Sequence, residues 1–384
     1  MSAISAMVMP RADTLMALGR QIFFDSTLSA SGRLSCASCH DQQYGWAAPN
    51  ALAVQTGGIG GTASGLRAVP SLGYAQDTPP FTEHYREDDG DDSEDQGAAG
   101  GLMWDGRAES LKEQAALPLL SPLEMGNISR AAAVERLRVS AVAEAFRTAF
   151  GAHVFDDSLV AWNGLLAALD AFQQSPADFY PYSSKYDAFL RGEGALTARE
   201  RRGLALFNDP AKGNCASCHP SARQREGFPQ FTDRGFLALG VPRNRRIPVN
   251  ADSTYYDLGL CGPLRTDLAD RPDYCGAFKT PTLRNVARRQ VFFHNGVFTS
   301  LEQVLRFYAR RDTEGRLFYP VDKRGVVQMY DDLPRIYWDN LNVDPPFDRK
   351  PGQRPAFSDA EAADMIAFLR TLNDGYSETT PARR

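Results

Sequence analysis

The feature that most constrains this chain is a pentapeptide that occurs twice, as Cys36-Ala37-Ser38-Cys39-His40 and Cys215-Ala216-Ser217-Cys218-His219. Cys-x-x-Cys-His is the attachment pattern of a c-type haem. The two thiols bond to the porphyrin, and the histidine ligates the iron from its proximal side. The two copies use four of the six cysteines and two of the five histidines. The sequence therefore predicts two covalently bound c-type haems.

Two other uses of paired cysteines were weighed against haem attachment, namely a zinc site and a redox disulfide. A zinc site built from both pairs would leave the two trailing histidines unexplained. The halves of a zinc ribbon also lie much closer in sequence than residues 36 and 215. Haem attachment is the interpretation that accounts for all four cysteines and both histidines of the pentapeptides.

Haem c is attached outside the cytoplasm, so we expect a periplasmic or otherwise exported protein. The first ten residues lack the basic and apolar regions of a signal peptide, so an intact one is not expected in this chain. An oxidising compartment permits a disulfide between the two remaining cysteines, Cys261 and Cys275. Two buried free thiols are the alternative.

Composition excludes several other classes of protein. The 384 residues are 43% hydrophobic and 23% charged, which is ordinary for a globular protein. A net charge of −5 argues against a nucleic-acid partner, which would need a basic face. No stretch approaches the roughly 20 apolar residues of a membrane span.

Apolar periodicity and helix caps predict a mainly α protein made of two haem domains, residues 1–195 and 196–384. Each domain begins with a helix ahead of its haem motif, residues 12–24 in the first and a helix capped by Thr197 in the second. Residues 180–194 are polar and expected to be loop-like at their ends, which places the domain boundary near residue 195. Further helices are predicted over residues 110–117, 129–150, 158–173, 301–310 and 360–372.

The function of each haem depends on what lies opposite its proximal histidine, and the sequence differs between the two haems in this respect. Residues 41–83 contain neither His nor Met, so the first iron is predicted to be open and able to bind peroxide or dioxygen. No Met lies between residues 126 and 328 for the second iron. Tyr308 could serve there as a phenolate ligand, and a packed core tyrosine is the alternative from spacing alone.

Six short motifs then stand together along residues 13–372: Cys36–His40 followed by Asp41, Met103-Trp104-Asp105-Gly106-Arg107, Pro122-Leu123-Glu124-Met125, Cys215–His219, Phe278-Lys279-Thr280-Pro281-Thr282-Leu283-Arg284-Asn285-Val286, and His294-Asn295-Gly296-Val297-Phe298-Thr299. With these motifs the chain resembles the bacterial dihaem cytochrome c peroxidase superfamily, and within it the MauG-like branch. The resemblance implies two cytochrome c-like haem domains of that type. In the peroxidases a Met ligates the second haem at the position of Tyr308, and in MauG-like enzymes a Tyr does so. The peroxidases also carry a distal His where this chain has Thr56-Gly57-Gly58.

The same resemblance implies roles for further residues. Trp104 corresponds to the tryptophan that relays electrons between the haems, and Glu124 to the carboxylate over the open iron. Gln114 and Pro118 fall at the other distal-pocket positions, and His294 belongs to the motif beside the second haem.

The implied function is the use of hydrogen peroxide to form a high-valent, bis-Fe(IV)-type state. That state would oxidise a tryptophan of a partner protein by long-range electron transfer, with Trp46, Trp162 and Trp338 as candidate exit relays. The loop from Cys261 to Cys275 resembles the methanobactin-operon enzyme MbnH and its relatives, which convert a tryptophan of a small copper-binding protein to kynurenine. The alternatives are a dihaem peroxidase that reduces peroxide with electrons from a small redox protein, and an electron-transfer or sensing protein without turnover.

Two departures from the family pattern stand out. The family usually has an Asn, in an Arg-Asn-x-Pro segment, that binds calcium between the haems, and here Ala68 takes its place. Asp270 and Pro272, near other calcium ligands of the family, are the remaining candidates for a calcium ion. MauG also has a surface Trp where this chain has Gly213, so the partner or the exit route is expected to differ.

Overall fold

The computed structural model describes residues 10–86, 95–223 and 227–377, and it is mainly helical, as predicted. The strands are two-residue pairs: β1 (Thr56–Gly57) with β2 (Ala63–Ser64), and β3 (Phe236–Leu237) with β4 (Phe278–Lys279), both antiparallel. The α-helices in the described residues are α1 (Ala12–Phe24), α2 (Leu111–Leu120), α3 (Arg130–Arg138), α4 (Ala143–Phe150), α5 (Ser158–Gln173), α6 (Pro176–Phe179), α7 (Lys185–Arg191), α8 (Ala198–Asn208), α9 (Leu301–Arg310) and α10 (Asp359–Arg370).

Each unit is built on a crossing between its first and last long helix. In the first unit α1 crosses α5 at Gly19, where an added Cβ would lie 1.8 Å from the carbonyl oxygen of Ala168. In the second unit α8 crosses α10 at Gly203, where a Cβ would lie 2.0 Å from the carbonyl oxygen of Asp364. Only glycine permits backbones to approach this closely, so both haem motifs follow a helix fixed in the same way.

A second element occurs once in each unit and carries several of the candidate functional residues. Residues 102–108 and 292–298 each form a loop closed by an antiparallel bridge between the first and last residue. In both loops the second residue has a positive φ, 69° at Met103 and 63° at Phe293. Ser110 and Ser300 then cap helices α2 and α9, which have ten residues each. The segment that begins at Leu102 and the segment that begins at Phe292 therefore share the same order of bridge, positive φ, serine cap and ten-residue helix.

One expectation about the helices needs correction. Residues 129–150 form two helices rather than one, because the Ser140 hydroxyl accepts a hydrogen bond from the backbone N–H of Val142 and ends the first helix locally. Residues 180–194 are loop-like at their ends and contain α7 between them, which begins with a capping box between Ser184 and Asp187.

Two large hydrophobic cores follow one another along the sequence. The first core is formed by buried side chains between Leu15 and Phe179, and the second by side chains between Tyr186 and Leu372. Because Tyr186 and Leu196 belong to the second core, packing starts the second unit ahead of residue 196.

Cys261 and Cys275 are joined by a disulfide, with their Cα atoms 5.0 Å apart. In the described part of the chain, no helix has the length and apolar character that a membrane crossing requires.

Candidate active site

The two proximal histidines are held in the same way. The backbone N–H of His40 donates to the carbonyl of Cys36 (2.9 Å), and that of His219 donates to Cys215 (2.8 Å), so each Cys-x-x-Cys-His forms one tight turn. The His40 Nδ1 lies 3.0 Å from the carbonyl oxygen of Trp46, and the His219 Nδ1 lies 2.8 Å from that of Phe231. A carbonyl can only accept, so Nδ1 carries the proton and Nε2 is left as the ligand atom.

Burial also keeps both imidazoles in the form that a metal needs. It lowers the pKa of His40 to about 4 and lowers the pKa of His219 from its ordinary value. A neutral imidazole is the ligating species, so neither histidine has to lose a proton near neutral pH.

A cavity of about 630 Å³ lies beside the second pentapeptide. Cys215, Cys218, His219 and Tyr308 line it together with a mainly apolar wall. Among the described residues, the hydroxyl of Tyr308 has no hydrogen-bond partner, and its ring stacks on Phe347 at 5.2 Å. Two thiols, an oriented imidazole and a free phenol around one apolar space fit a covalently bound haem.

Tyr308 and Pro118 occupy the same position in the repeated element. Each is the eighth residue of its ten-residue helix, Tyr308 in α9 and Pro118 in α2. Burial raises the pKa of Tyr308, so a phenolate there would need a metal to stabilise it. Pro118 has no side-chain atom that could ligate iron. At this position of the repeat, the second unit carries a side chain that can ligate iron and the first unit does not.

Replacing Tyr308 by Phe is expected to remove the oxygen ligand of the second haem and keep the aromatic packing. The absorption and electron paramagnetic resonance spectra of that haem should change, and its reduction potential should rise, because a phenolate favours oxidised iron. Tyr319→Phe, which removes another buried hydroxyl of the same core, is the matched control. If both variants kept the wild-type spectrum, Tyr308 would be a packed core tyrosine.

Glu124 lies beside the first pentapeptide, on the turn after α2. Its backbone carbonyl accepts from Gly58 (2.7 Å), and a Cβ on Gly57 would lie 2.5 Å from that same oxygen. The hairpin of β1 and β2 thus packs directly against the turn that carries Glu124. Glu124 is exposed to solvent, yet desolvation by the surrounding protein raises its pKa, which the nearby Ser121 and Arg107 lower less.

The negative charge of Glu124 also interacts electrostatically with the thiols of the first cysteine pair. It raises the pKa of the Cys39 thiol, second to burial, and contributes less to that of Cys36. Gln114 is buried on α2, the helix that carries Pro118. The structure therefore brings Glu124 close to the first haem motif and places Gln114 and Pro118 on one neighbouring helix.

Trp104 lies between the two units. It is 6% exposed, lines the second cavity, and belongs to the loop that leads into α2 of the first unit. Its indole Nε1 donates to the carbonyl of Ala68 (2.8 Å), and its own carbonyl accepts from the backbone N–H of Lys279 (2.9 Å). His294 takes the equivalent place in the second loop and stacks on Phe278 at 3.5 Å. Trp104 is thus held by residues of both units at the wall of the second cavity.

The residues considered for calcium binding differ in their surroundings. Ala68 has no side-chain oxygen, and Asp270 is exposed. The carbonyl of Pro272 already accepts from the amide of Asn340 at 2.7 Å. Within residues 10–86, 95–223 and 227–377, no group of three or more His, Cys, Asp or Glu side chains could hold a metal ion.

A buried guanidinium joins two carboxylates that are far apart in the sequence. Arg67 donates to both carboxylate oxygens of Asp257 (2.6 and 2.7 Å) and to Asp105 (2.6 Å). All three side chains are almost completely buried. Sequence reasoning missed this cluster, because nothing in the spacing of residues 67, 105 and 257 connects them.

The three candidate exit tryptophans differ in exposure. Trp46 stacks on Phe179 at 4.2 Å and is 3% exposed, and Trp162 is 2% exposed within the first core. Trp338 alone of the three is partly open to solvent. Burial therefore separates candidates that the sequence could not rank.

Comparison with known proteins gives consistent matches. The family model for di-haem cytochrome c peroxidase matches residues 13–195. The methylamine utilization protein MauG of Paracoccus denitrificans is 38% identical over 310 residues, which cover 78% of this chain and 75% of MauG.

Two solved structures extend the match to nearly the whole chain. The diheme peroxidase BthA from Burkholderia thailandensis aligns with a TM-score of 0.82 at 38% identity, covering 97% of this chain and 89% of BthA. A MauG-like protein associated with microbial copper homeostasis aligns with a TM-score of 0.65 at 26% identity, covering 96% and 94%. The chain therefore belongs to the dihaem cytochrome c peroxidase family, in its MauG-like branch, and is a haem-dependent oxidoreductase that acts with peroxide.

Proposed function

We propose that this protein uses hydrogen peroxide, bound at the first haem site, to oxidise a tryptophan of a partner protein that docks on its surface. When bound, the two haems supply the redox chemistry and store the two oxidising equivalents of one peroxide. The observation that carries the proposal is the contrast between Pro118 and Tyr308 at one position of the repeated element. It supports one open site for peroxide and one closed site for electron transfer.

The first site needs a group that moves a proton between the two oxygens of peroxide. Glu124 is suited to this task, because the surrounding protein raises its pKa toward the range in which a carboxyl group both gives and accepts protons. Gln114, buried on α2, would help to orient the peroxide. Gly57 matters indirectly, because its missing side chain lets the hairpin hold the Glu124 turn in place.

Trp104 would connect the two sites. Its ring is buried, its Nε1 is held by Ala68, and it lines the second cavity. An indole fixed in this way can lose and regain an electron without moving. The substrate then has no need to reach the first site, because electrons would cross the protein through aromatic rings.

The relatives suggest a class of partner protein. A small copper-binding protein is suggested by the similarity to a MauG-like protein associated with microbial copper homeostasis. Because covalent haem attachment takes place outside the cytoplasm, both proteins would meet in the periplasm.

A conventional peroxidase is the second candidate. It is favoured by the similarity to the diheme peroxidase BthA, which aligns at 38% identity over most of both chains. In that case electrons would come from a small redox protein, and peroxide would be reduced to water without lasting change to a protein substrate.

The two candidates differ in how the resting protein reacts. One equivalent of hydrogen peroxide is added to the fully ferric protein. We expect a prompt change in the Soret and near-infrared spectra, because the proposed first site is already open, and we expect the oxidised state to be long-lived. A conventional peroxidase would react only after one haem had been reduced. No spectral change in the ferric protein would therefore contradict the proposal and favour the second candidate.

A further inference from the structure

A short chain of aromatic rings runs from the wall of the second cavity to the protein surface. Gly240 lines that cavity, and a Cβ on Gly240 would lie 2.5 Å from the Tyr330 ring, so the ring packs directly behind the cavity wall. The Tyr330 ring lies 5.3 Å from the Trp338 ring, at 84°. Such edge-to-face contacts leave no gap between the π-systems.

This row of aromatic rings ends at the protein surface. Trp338 lies on the 3₁₀ helix Arg335–Asn340 and is partly exposed, whereas Trp46 and Trp162 are buried. Its indole Nε1 donates to the carbonyl of Leu333 (3.1 Å), and Leu333 lines the second cavity. The ring is therefore fixed relative to the cavity and is still reachable from outside.

Tyr330 has the proton acceptor that oxidation of a tyrosine requires. Its hydroxyl donates to Asp312 Oδ1 at 2.7 Å. Tyr319, whose ring is 5.6 Å from that of Tyr330, donates to the Gly240 carbonyl, which cannot take a proton. Tyr330 is thus the better relay of the two.

From this arrangement we infer that Tyr330 and Trp338 form the exit path for oxidising equivalents, and that the electron donor meets the protein at the Trp338 ring. The inference rests on the proposed function and deepens it, because it names the point at which the tryptophan of the partner protein docks.

Each passage along the path moves one electron inward. Tyr330 loses an electron toward the oxidised second site and gives its phenolic proton to Asp312. Trp338 returns an electron to Tyr330, which takes the proton back. The external donor then supplies one electron to the Trp338 radical cation and is itself oxidised. Two passages deliver the two electrons that reduction of one hydrogen peroxide to two waters consumes.

The experiment uses the dihaem protein with ferrocyanide, a one-electron donor that reacts from outside, as the probe. After addition of one equivalent of peroxide, Trp338→Phe and Tyr330→Phe should each oxidise ferrocyanide about tenfold more slowly than wild type, which corresponds to about 1.4 kcal/mol in the barrier. Tyr337→Phe, on the same 3₁₀ helix and next to Trp338, should keep the wild-type rate.

A second readout does not depend on turnover. Peroxide is added without any donor, and the oxidised residues are mapped by peptide mass spectrometry. We expect oxidation products on Trp338 in wild type and in Tyr337→Phe. They should be lost from this position in Tyr330→Phe.

The outcomes separate this inference from the function on which it rests. Equal ferrocyanide rates in wild type and Trp338→Phe, or products on other aromatic residues while Trp338 stays intact, would overturn the exit path and leave the peroxide reaction standing. A wild-type protein that fails to react with peroxide in the ferric state would overturn the proposed function itself, and the exit path with it.

Discussion

Replacing Glu124 by Gln is expected to slow the reaction with peroxide by about 100- to 10,000-fold, the usual contribution of a positioned acid or base. Gln has nearly the same shape but cannot carry a proton from one peroxide oxygen to the other. The measurement is the rate of the spectral change that follows mixing of the ferric protein with peroxide in a stopped-flow instrument.

The control for this substitution lies on the preceding helix. Glu113 is exposed in the first turn of α2, so Glu113→Gln makes the same chemical change away from the site and should keep the wild-type rate. The visible spectrum of each resting variant shows whether both haems are bound. A wild-type rate in Glu124→Gln with both haems present would remove Glu124 from the mechanism and leave the open first site to be explained without it.

The largest expected effect on stability comes from Asp187. Arg284 donates to both of its carboxylate oxygens (2.8 and 2.7 Å), and both side chains are completely buried. Asp187→Asn would leave the guanidinium without its counter-ion in the interior. We expect the free energy of unfolding to fall by about 3–5 kcal/mol, as is typical when one partner of a buried ion pair is removed.

Denaturant titration of the dihaem protein measures this change. The matched control is Glu193→Gln, because Glu193 pairs with Arg191 at the surface, with 61% of its side chain exposed. A surface pair contributes at most about 1 kcal/mol, so the control should unfold almost like wild type. Equal losses in the two variants would mean that the buried pair does not hold α7 against the motif containing Arg284.

Local signals predicted much of the fold. The helices over residues 12–24, 158–173 and 301–310 have the bounds expected from their periodicity. They were predictable because each has a continuous buried face and clear ends. The single helix expected over residues 129–150 was wrong, because a side-chain hydrogen bond of Ser140 outweighed an apolar pattern that continues across the break.

The identity of the chain was also largely contained in the sequence. The two pentapeptides and the motifs of the resemblance led to the MauG-like branch of the dihaem peroxidases, which the comparisons confirm. Such motifs are readable because covalent haem attachment requires fixed residue types at fixed spacing. The roles of Glu124, Trp104 and Tyr308 stay predictions that the substitutions above can test.

Only the tertiary structure decided how the two halves relate to one another. The equivalence of Pro118 with Tyr308, and of Trp104 with His294, follows from the matching bridges, positive φ values and ten-residue helices of the two segments. The pairing of Arg67 with Asp105 and Asp257 joins residues far apart in sequence. The sequence by itself determined the cofactor, the family and most helices, because those depend on short-range patterns. Which aromatic rings touch, which carboxylates meet a guanidinium and which tryptophan reaches the surface depend on long-range packing, which no local pattern records.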